Sequence, residues 1–505
     1  MNNNRNRDNN RDGNRGDDRD GNGGSWSWWE IAAGVGAVAA GATAIGVGLY
    51  MASREAEESP NPQERTLYQQ NESEKITRSL QLPNLSSGAT IIMDDAISES
   101  CVSSRPHITN LNALLHDIYV RYIALKKEEF ARHYRVYVEV IGEIHRKMKE
   151  VDQYYQRYSS DVKFAGSHYD NLRTTKPDEF DMVFVIGLPV NMDIDPFNEE
   201  SDIVIEQNYP GYVQLRAGTQ YQKILIRDGV DCLINRTAHH WMDDRKYILR
   251  SKFISWFKSV GTRALNKFMK IGSTPLCYVD GIGYTIRTTE SGPAWTLIIE
   301  APGFKLDVDM VPALKFPETR WPVGKMYKPI PNECKRDYWI VVPKPNKNGN
   351  TVHDENRSWR IGLQDQEKQL FKNTYALRQT IRFHKKLRDS LRMDKIASYY
   401  IKTIFFWEIM ELKVKDPNFW MTNDISTLFK YMLRKFYQAL DEKKILYFWN
   451  RNYNMIGHVE QSVLNEYKSN ISNLLSVLDN PANYKEVAKY LLNSAEYSEY
   501  YHLLY

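Results

Sequence analysis

The stretch GSHYDNLRTTKPDEFDMVFVIGLP, residues 166–189, decides the fold, and its centre is Glu179-Phe180-Asp181. On a strand, side chains alternate across the pleat, so Glu179 and Asp181 point to the same face. Met182, Val183, Phe184, Val185 and Ile186 continue an apolar run that Gly187 and Pro189 end. The two carboxylates therefore stand side by side at the start of a buried strand, where such a pair is costly unless something positive lies between them. A divalent cation answers that need. Magnesium, or manganese in its place, takes hard oxygen ligands, commonly carboxylates together with phosphate oxygens. Upstream, a turn at Gly166 and Ser167 can offer backbone N–H groups and a hydroxyl to those phosphates. The pattern points to a nucleotide and a metal.

Two metals clamping an in-line displacement need a third carboxylate. The stretch FKLDVDMV, residues 304–311, supplies a candidate: Leu306, Val308 and Met310 form an apolar face, and Asp307 and Asp309 lie on the other. Alone, a Glu-x-Asp pair is more often a solvated strand face. The Gly-Ser turn, the spacing and the later Asp309 together favour a metal site formed by Glu179, Asp181 and Asp309.

Several motifs resemble one family. GSxYxxxxxxxPxEFDxxF, over 166–184, resembles the signature of cyclic GMP-AMP synthase (cGAS) and the cGAS-like receptors, and VDMVPALKFPETRWP, over 308–322, resembles that family's third-carboxylate strand. Trp359-Arg360-Ile361-Gly362-Leu363 with Glu367-Lys368 resembles its WRLSF segment, and Ser398-Tyr399-Tyr400-Ile401-Lys402-Thr403 its SYHVKT segment. The matches occur in order, from about Leu111 to about Met455. The resemblance implies an α+β fold, with a nucleotidyltransferase lobe of the polymerase-beta type on a mixed sheet, a C-terminal helical lobe and a long N-terminal spine helix.

The resemblance also implies roles. Glu179, Asp181 and Asp309 would hold Mg2+, with Asp309 drawing the proton from an attacking ribose hydroxyl. Gly166 and Ser167 would meet the donor triphosphate, Arg360 the acceptor base, and Tyr399 would stack on a base. Ser398 and Lys402 would line the donor phosphates, and Glu367 would support the nucleotide pocket. The implied activity is synthesis of a cyclic dinucleotide second messenger from ATP and GTP, switched on by nucleic acid, as a double-stranded RNA sensor in innate antiviral signalling. A catalytically silent scaffold of the same fold and an RNA terminal nucleotidyltransferase are the alternatives. The chain departs from the family pattern at Val311, Gly362 and Gln364, positions that read a nucleobase in the family.

Cys101, Cys232, Cys277 and Cys334 are scattered, with no closely spaced pair of the kind that zinc sites draw on. No zinc site is expected, and the chain looks more like the cGAS-like receptors, several of which sense double-stranded RNA. So few cysteines suit a reducing cytosol rather than a disulfide scaffold.

Net charge is only +4, so affinity for nucleic acid has to come from local clusters. One set, including Arg121, Lys126, Lys127, Arg132, Arg135, Arg146 and Lys147, falls on what reads as one long helix over 110–158. A second runs from Arg245 to Lys270 on another helix and includes Lys252 and Lys258. Arg378, Arg382, Lys385, Lys386, Arg388 and Arg392 form a third. Lys126, Lys127, Lys252 and Lys258 are the candidate contacts to a duplex, on which a homodimer could assemble. Ordinary solvated helix faces are the competing reading, since glutamates interleave at pairing distance.

Residues 1–24 carry five arginines against five aspartates among Asn and Gly and read as a disordered polar leader. Ile31 to Ala52 is 22 residues without a charge, preceded by Trp26, Trp28 and Trp29, so 25–53 reads as a transmembrane helix. That predicts a single-pass membrane protein with its catalytic core in the cytosol. A signal peptide or a Gly/Ala linker would share the composition, and with a linker the protein would be cytoplasmic. Residues 54–109 read as a tether, 110–365 as the nucleotidyltransferase core and 366–505 as the helical lobe.

Overall fold

The computed structural model describes Ser98 and residues 107–165, 172, 177–189, 202–221, 231–291, 294–324, 326–346, 351–372 and 375–505. Gly166, Ser167 and residues 31–52 lie outside the described residues, as does nearly all of the leader and tether. The expected membrane anchor is corrected here: no helix among the described residues is long and apolar enough to cross a membrane. The transmembrane reading, the membrane partner and the single-pass location, which rest on the composition of 31–52 and its flanking tryptophans, do not hold.

The helix expected over 110–158 is three helices, Leu111–Tyr122, Lys127–Val151 and Gln153–Tyr158. Asp152 separates the last two by capping rather than continuing a helix, accepting from the Tyr155 N–H at 2.9 Å, and Asn110 caps the start of the first, accepting from the Ala113 N–H at 3.0 Å. The central piece is the spine. Phe130, Val136, Tyr137, Val140, Ile141, Ile144 and Met148 recur at helical spacing and are all buried, while Glu128 and Glu129 in its first turn and Lys149 in its last complement the helix dipole.

That apolar stripe packs on an eleven-stranded mixed sheet. The strands are β1 (Ser159–Phe164), β2 (Glu179–Ile186), β3 (Ile203–Tyr209), β4 (Tyr212–Ala217), β5 (Met269–Ile271), β6 (Thr274–Val279), β7 (Ile282–Ser291), β8 (Ala294–Ala301), β9 (Phe304–Pro317), β10 (Tyr338–Val342) and β11 (Ser358–Gly362). They lie in the order β3-β4-β11-β10-β9-β8-β7-β6-β5, with β2 also on β9 and β1 on β2. The long strand β9 organises the sheet. One of its edges carries β2 in parallel, and the other is shared between β8, as far as Met310, and β10, from Leu314.

Alternation then sorts the side chains. Phe180, Met182, Phe184 and Ile186 of β2, with Val308, Met310 and Leu314 of β9, enter the main core against the spine. The Phe180 ring meets Tyr137 edge-on at 5.2 Å and Phe130 at 6.4 Å. Each such burial stabilises by about 1.5–3 kcal/mol. The opposite face carries the carboxylates and, beyond them, a small apolar floor of Val183, Val185, Val311, Ala313, Ile340 and Val342.

After Gln364 the chain is helical, through Tyr375–Ser390, Ser398–Lys415, Ile425–Asp441, Gln461–Asp479 and Ser494–Leu504. His384 is fully buried there, with Phe405 and Phe429 edge-on at 5.3 and 5.2 Å. Burial lowers its pKa from 6.5 to about 4, despite the Thr380 carbonyl 2.8 Å from Nδ1. The unfolded chain therefore binds this proton first as pH falls, so the stability that neutral His384 contributes is complete above about pH 6.5 and is lost progressively towards about pH 4. Thermal melts are expected to show that acid limb, and His384→Leu to make it shallower. An unchanged limb in the variant would assign it to other groups.

Candidate active site

Parallel pairing of β2 with β9 sets Asp181 directly opposite Asp309 and Glu179 opposite Asp307. Opposed residues of a parallel pair share a face, so separate segments of the chain are brought to one point. One oxygen each from Glu179, Asp181 and Asp309 lie within 4.8 Å of one another. Asp181 is 3% exposed and Asp309 7%, while Glu179 is partly open at the strand's start. Among the described residues this is the one group of three or more potential metal-ligating side chains. An all-oxygen set of carboxylates, two of them buried, fits Mg2+ or Mn2+ rather than a softer metal. Asp307 stands apart from the trio, with Lys305 Nζ 3.0 Å from its Oδ2.

The same face of the sheet carries Arg360 further along. It lies opposite Val342 on one side and Tyr212 on the other. Its guanidinium sits 5.3 Å from the ring centres of both Tyr212 and Tyr447, a cation held between two aromatic rings. Gly211 makes room for it: a Cβ at that position would lie 2.1 Å from Arg360 Nη1, and the backbone has φ +77°.

Beside Arg360, Glu367 is 3% exposed and gathers its partners from the helical lobe. Tyr399 donates its hydroxyl to Oε1 at 2.6 Å, Trp449 donates Nε1 to the same oxygen at 3.0 Å, and Lys402 Nζ lies 3.0 Å from Oε2. Burial, followed by the Glu367 carboxylate, holds the Tyr399 phenol well above its ordinary pKa, so it remains the donor. Arg360, Glu367, Tyr399 and Tyr447 line one cavity together with Lys344, Ile361 and Leu363. Ser398, partly buried, begins the helix that carries Tyr399 and Lys402.

Residues 168–373 match the Mab-21 protein nucleotidyltransferase domain and residues 376–473 the Mab-21 protein HhH/H2TH-like domain. A cyclic GMP-AMP synthase-like receptor of Ctenocephalides felis is 32% identical over 77% of this chain and 89% of its own length. The chain belongs to the Mab-21/cGAS-like nucleotidyltransferase family. Receptors of the same description from Aethina tumida and Tribolium castaneum are 30% and 28% identical, covering 76% and 77% of this chain and 92% and 93% of their own. Membership accounts for the mixed sheet lobe, the helical lobe behind it and the acidic trio where strands of the sheet lobe meet.

The basic clusters divide differently from the sequence expectation. Most of the third is structural, although Arg392 is exposed. Arg382, Lys385, Lys386 and Arg388 are all buried; Lys385 donates to the Leu172 carbonyl at 2.7 Å, Lys386 pairs with Glu496 at 2.5 Å, and Arg382 donates to the Tyr119 hydroxyl. In the second, the helix covers only Arg250–Leu265, leaving Arg245 and Lys246 before it and Lys267 and Lys270 after it. Lys252 donates to the Met242 carbonyl at 2.7 Å and Lys258 pairs with Glu290 at 2.8 Å. Lys126 donates to the Val120 carbonyl at 2.8 Å, and Lys127 is exposed in the first turn of the spine.

Sequence reasoning missed Gly211, Tyr212, Thr296, Tyr447 and Trp449. Tyr447 and Trp449 lie in an aromatic run that reads as core, and nothing local distinguishes a ring that covers a pocket from one that fills a lobe. Gly211 carried a signal: a Pro-Gly step between two short strands marks a turn with positive φ.

Proposed function

We propose that this protein is a nucleic-acid-activated synthase that joins ATP and GTP into a cyclic dinucleotide, with a double-stranded RNA as its activator. The observation that carries the reading is the trio Glu179, Asp181 and Asp309 on paired strands, two of them buried, with an aromatic-lined cationic pocket on the same sheet face. The descriptions of its relatives, cyclic GMP-AMP synthase-like receptors, support the product class.

In this reading, Glu179, Asp181 and Asp309 hold Mg2+, which supplies charge neutralisation at the phosphate that is attacked. Gly166 and Ser167 bind the donor triphosphate. Asp309 takes the proton of the attacking ribose hydroxyl as its oxygen bonds to the α-phosphorus and pyrophosphate departs. Arg360, Tyr399 and Tyr447 hold bases by stacking, while Glu367 and Lys402 keep those rings in place. A second transfer of the same kind closes the ring.

Duplex recognition would be electrostatic, through phosphates and 2′-hydroxyls rather than base edges, and Lys127 is the exposed candidate contact, with Lys126, Lys252 and Lys258 as secondary ones. The test is incubation of purified protein with labelled ATP and GTP, Mg2+ and a panel of RNA and DNA duplexes, followed by chromatography after phosphatase. A phosphatase-resistant dinucleotide formed only with duplex RNA is expected. An extended polymer, or no product with any duplex, would overturn the reading.

A further inference from the structure

Asp309 has neighbours on both edges of its strand. Asp181 of β2 faces it from one side, and Thr296 of β8 is its partner on the other. Thr296 is 7% exposed, and its Oγ1 donates to Asp309 Oδ1 at 2.5 Å, a short charge-assisted bond. The donor is stiff: a β-branched side chain on a strand has restricted χ1, so the hydroxyl is placed by the backbone. The acceptor is not, because the terminal torsion of an aspartate is broad and roughly two-fold. A fixed donor on one oxygen therefore sets the plane of the whole carboxylate.

We infer that Thr296 is a positioning residue, whose hydroxyl holds Asp309 Oδ1 so that the carboxylate is pre-oriented as a metal ligand beside Asp181 and Glu179. This rests on the metal reading proposed above. Thr296 is not one of the three candidate ligands; it acts through Asp309. Without it Asp309 loses the hydrogen bond to Oδ1, and outer hydrogen bonds of this kind commonly contribute about 10–100-fold to metal affinity.

The experiment is Mn2+ binding to the full chain, followed by electron paramagnetic resonance in the absence of nucleotide, with turnover measured alongside. Thr296→Val keeps the branched shape and removes the donor. It is expected to weaken Mn2+ binding by about 10-fold and to lower kcat with little change in nucleotide KM. Thr296→Ser keeps the donor and serves also if the valine variant folds poorly; it is expected to retain most of the Mn2+ affinity. Wild-type Mn2+ affinity in Thr296→Val, or an equal loss in Thr296→Ser and Thr296→Val, would overturn the inference. Asp309→Asn, measured in parallel, separates the layers: if it too binds Mn2+ and turns over normally, the metal reading itself has failed. If it loses both while Thr296→Val loses neither, only the role of Thr296 has failed.

Discussion

Replacing Glu179 and Asp181 together with alanine is expected to remove product formation, by on the order of 10³-fold or more, while the chain stays folded. The side chains lie on the face of β2 opposite the main core, so the apolar contacts of Phe180 and Met182 are retained. Bringing carboxylates within 4.8 Å also costs electrostatic energy in the metal-free protein. Removing two of them relieves that repulsion, so the melting temperature of the metal-free variant should hold or rise. Mg2+ should raise the melting temperature of the wild type and leave the variant unmoved, because a ligand stabilises only the state that binds it. Labelled-nucleotide turnover with paired thermal melts makes the check. Turnover near the wild-type rate in the double variant would remove the trio from the chemistry.

Gly211→Ala is expected to be nearly as damaging by a different route. Any side chain here meets two penalties. The backbone φ of +77° costs an L-residue about 1–2 kcal/mol, and the new Cβ falls 2.1 Å from Arg360 Nη1. Arg360 cannot give way cheaply, since its guanidinium is held between the rings of Tyr212 and Tyr447. The sum should be about 2–4 kcal/mol of stability, with nucleotide affinity weakened and Mn2+ binding unaffected. Gly272 provides the control. It has φ +63° with nothing within 4 Å of its Cβ, so Gly272→Ala should lose only the backbone term and no nucleotide affinity. If the two variants behave alike, the packing of Arg360 over Gly211 has no bearing on the pocket.

The acidic trio was legible because strand alternation is local. Glu179 and Asp181 share a face whatever else the chain does, and the apolar positions of 306–310 fix Asp309 in the same way. Legibility ended where partners come from far along the sequence. That Thr296 would lie opposite Asp309 depends on the pairing of β8 with β9, and that Lys402 would lie against Glu367 depends on how the helical lobe docks. Charge was the least legible property. Lys385 and Lys386 look like surface residues in a list of basic side chains, yet both are buried and bonded. Their helix has too few apolar positions to fill its inward face, so long cationic side chains complete it. The strands β5 to β7 carry no such signal, as Met269, Ile271, Tyr278 and Ile282 are exposed and give no clean in-out alternation.

The wall around Arg360 has a mechanical consequence. One side is Tyr212 on the sheet and Glu367 on the short helix Gln364–Leu370, both within the nucleotidyltransferase domain, and the other, Tyr399, Tyr447 and Trp449, arrives on chain beyond residue 376. The contacts that shape the pocket are thus among the contacts that latch one lobe to the other, beside pairs such as Lys413 with Glu333 and Lys328 over Phe448. Occupying the pocket and tightening the latch are then linked equilibria, each biasing the other by the same free energy. A force applied on the outer surface of either lobe is felt in the pocket if it opens or closes that seam, with no need to reach the pocket itself.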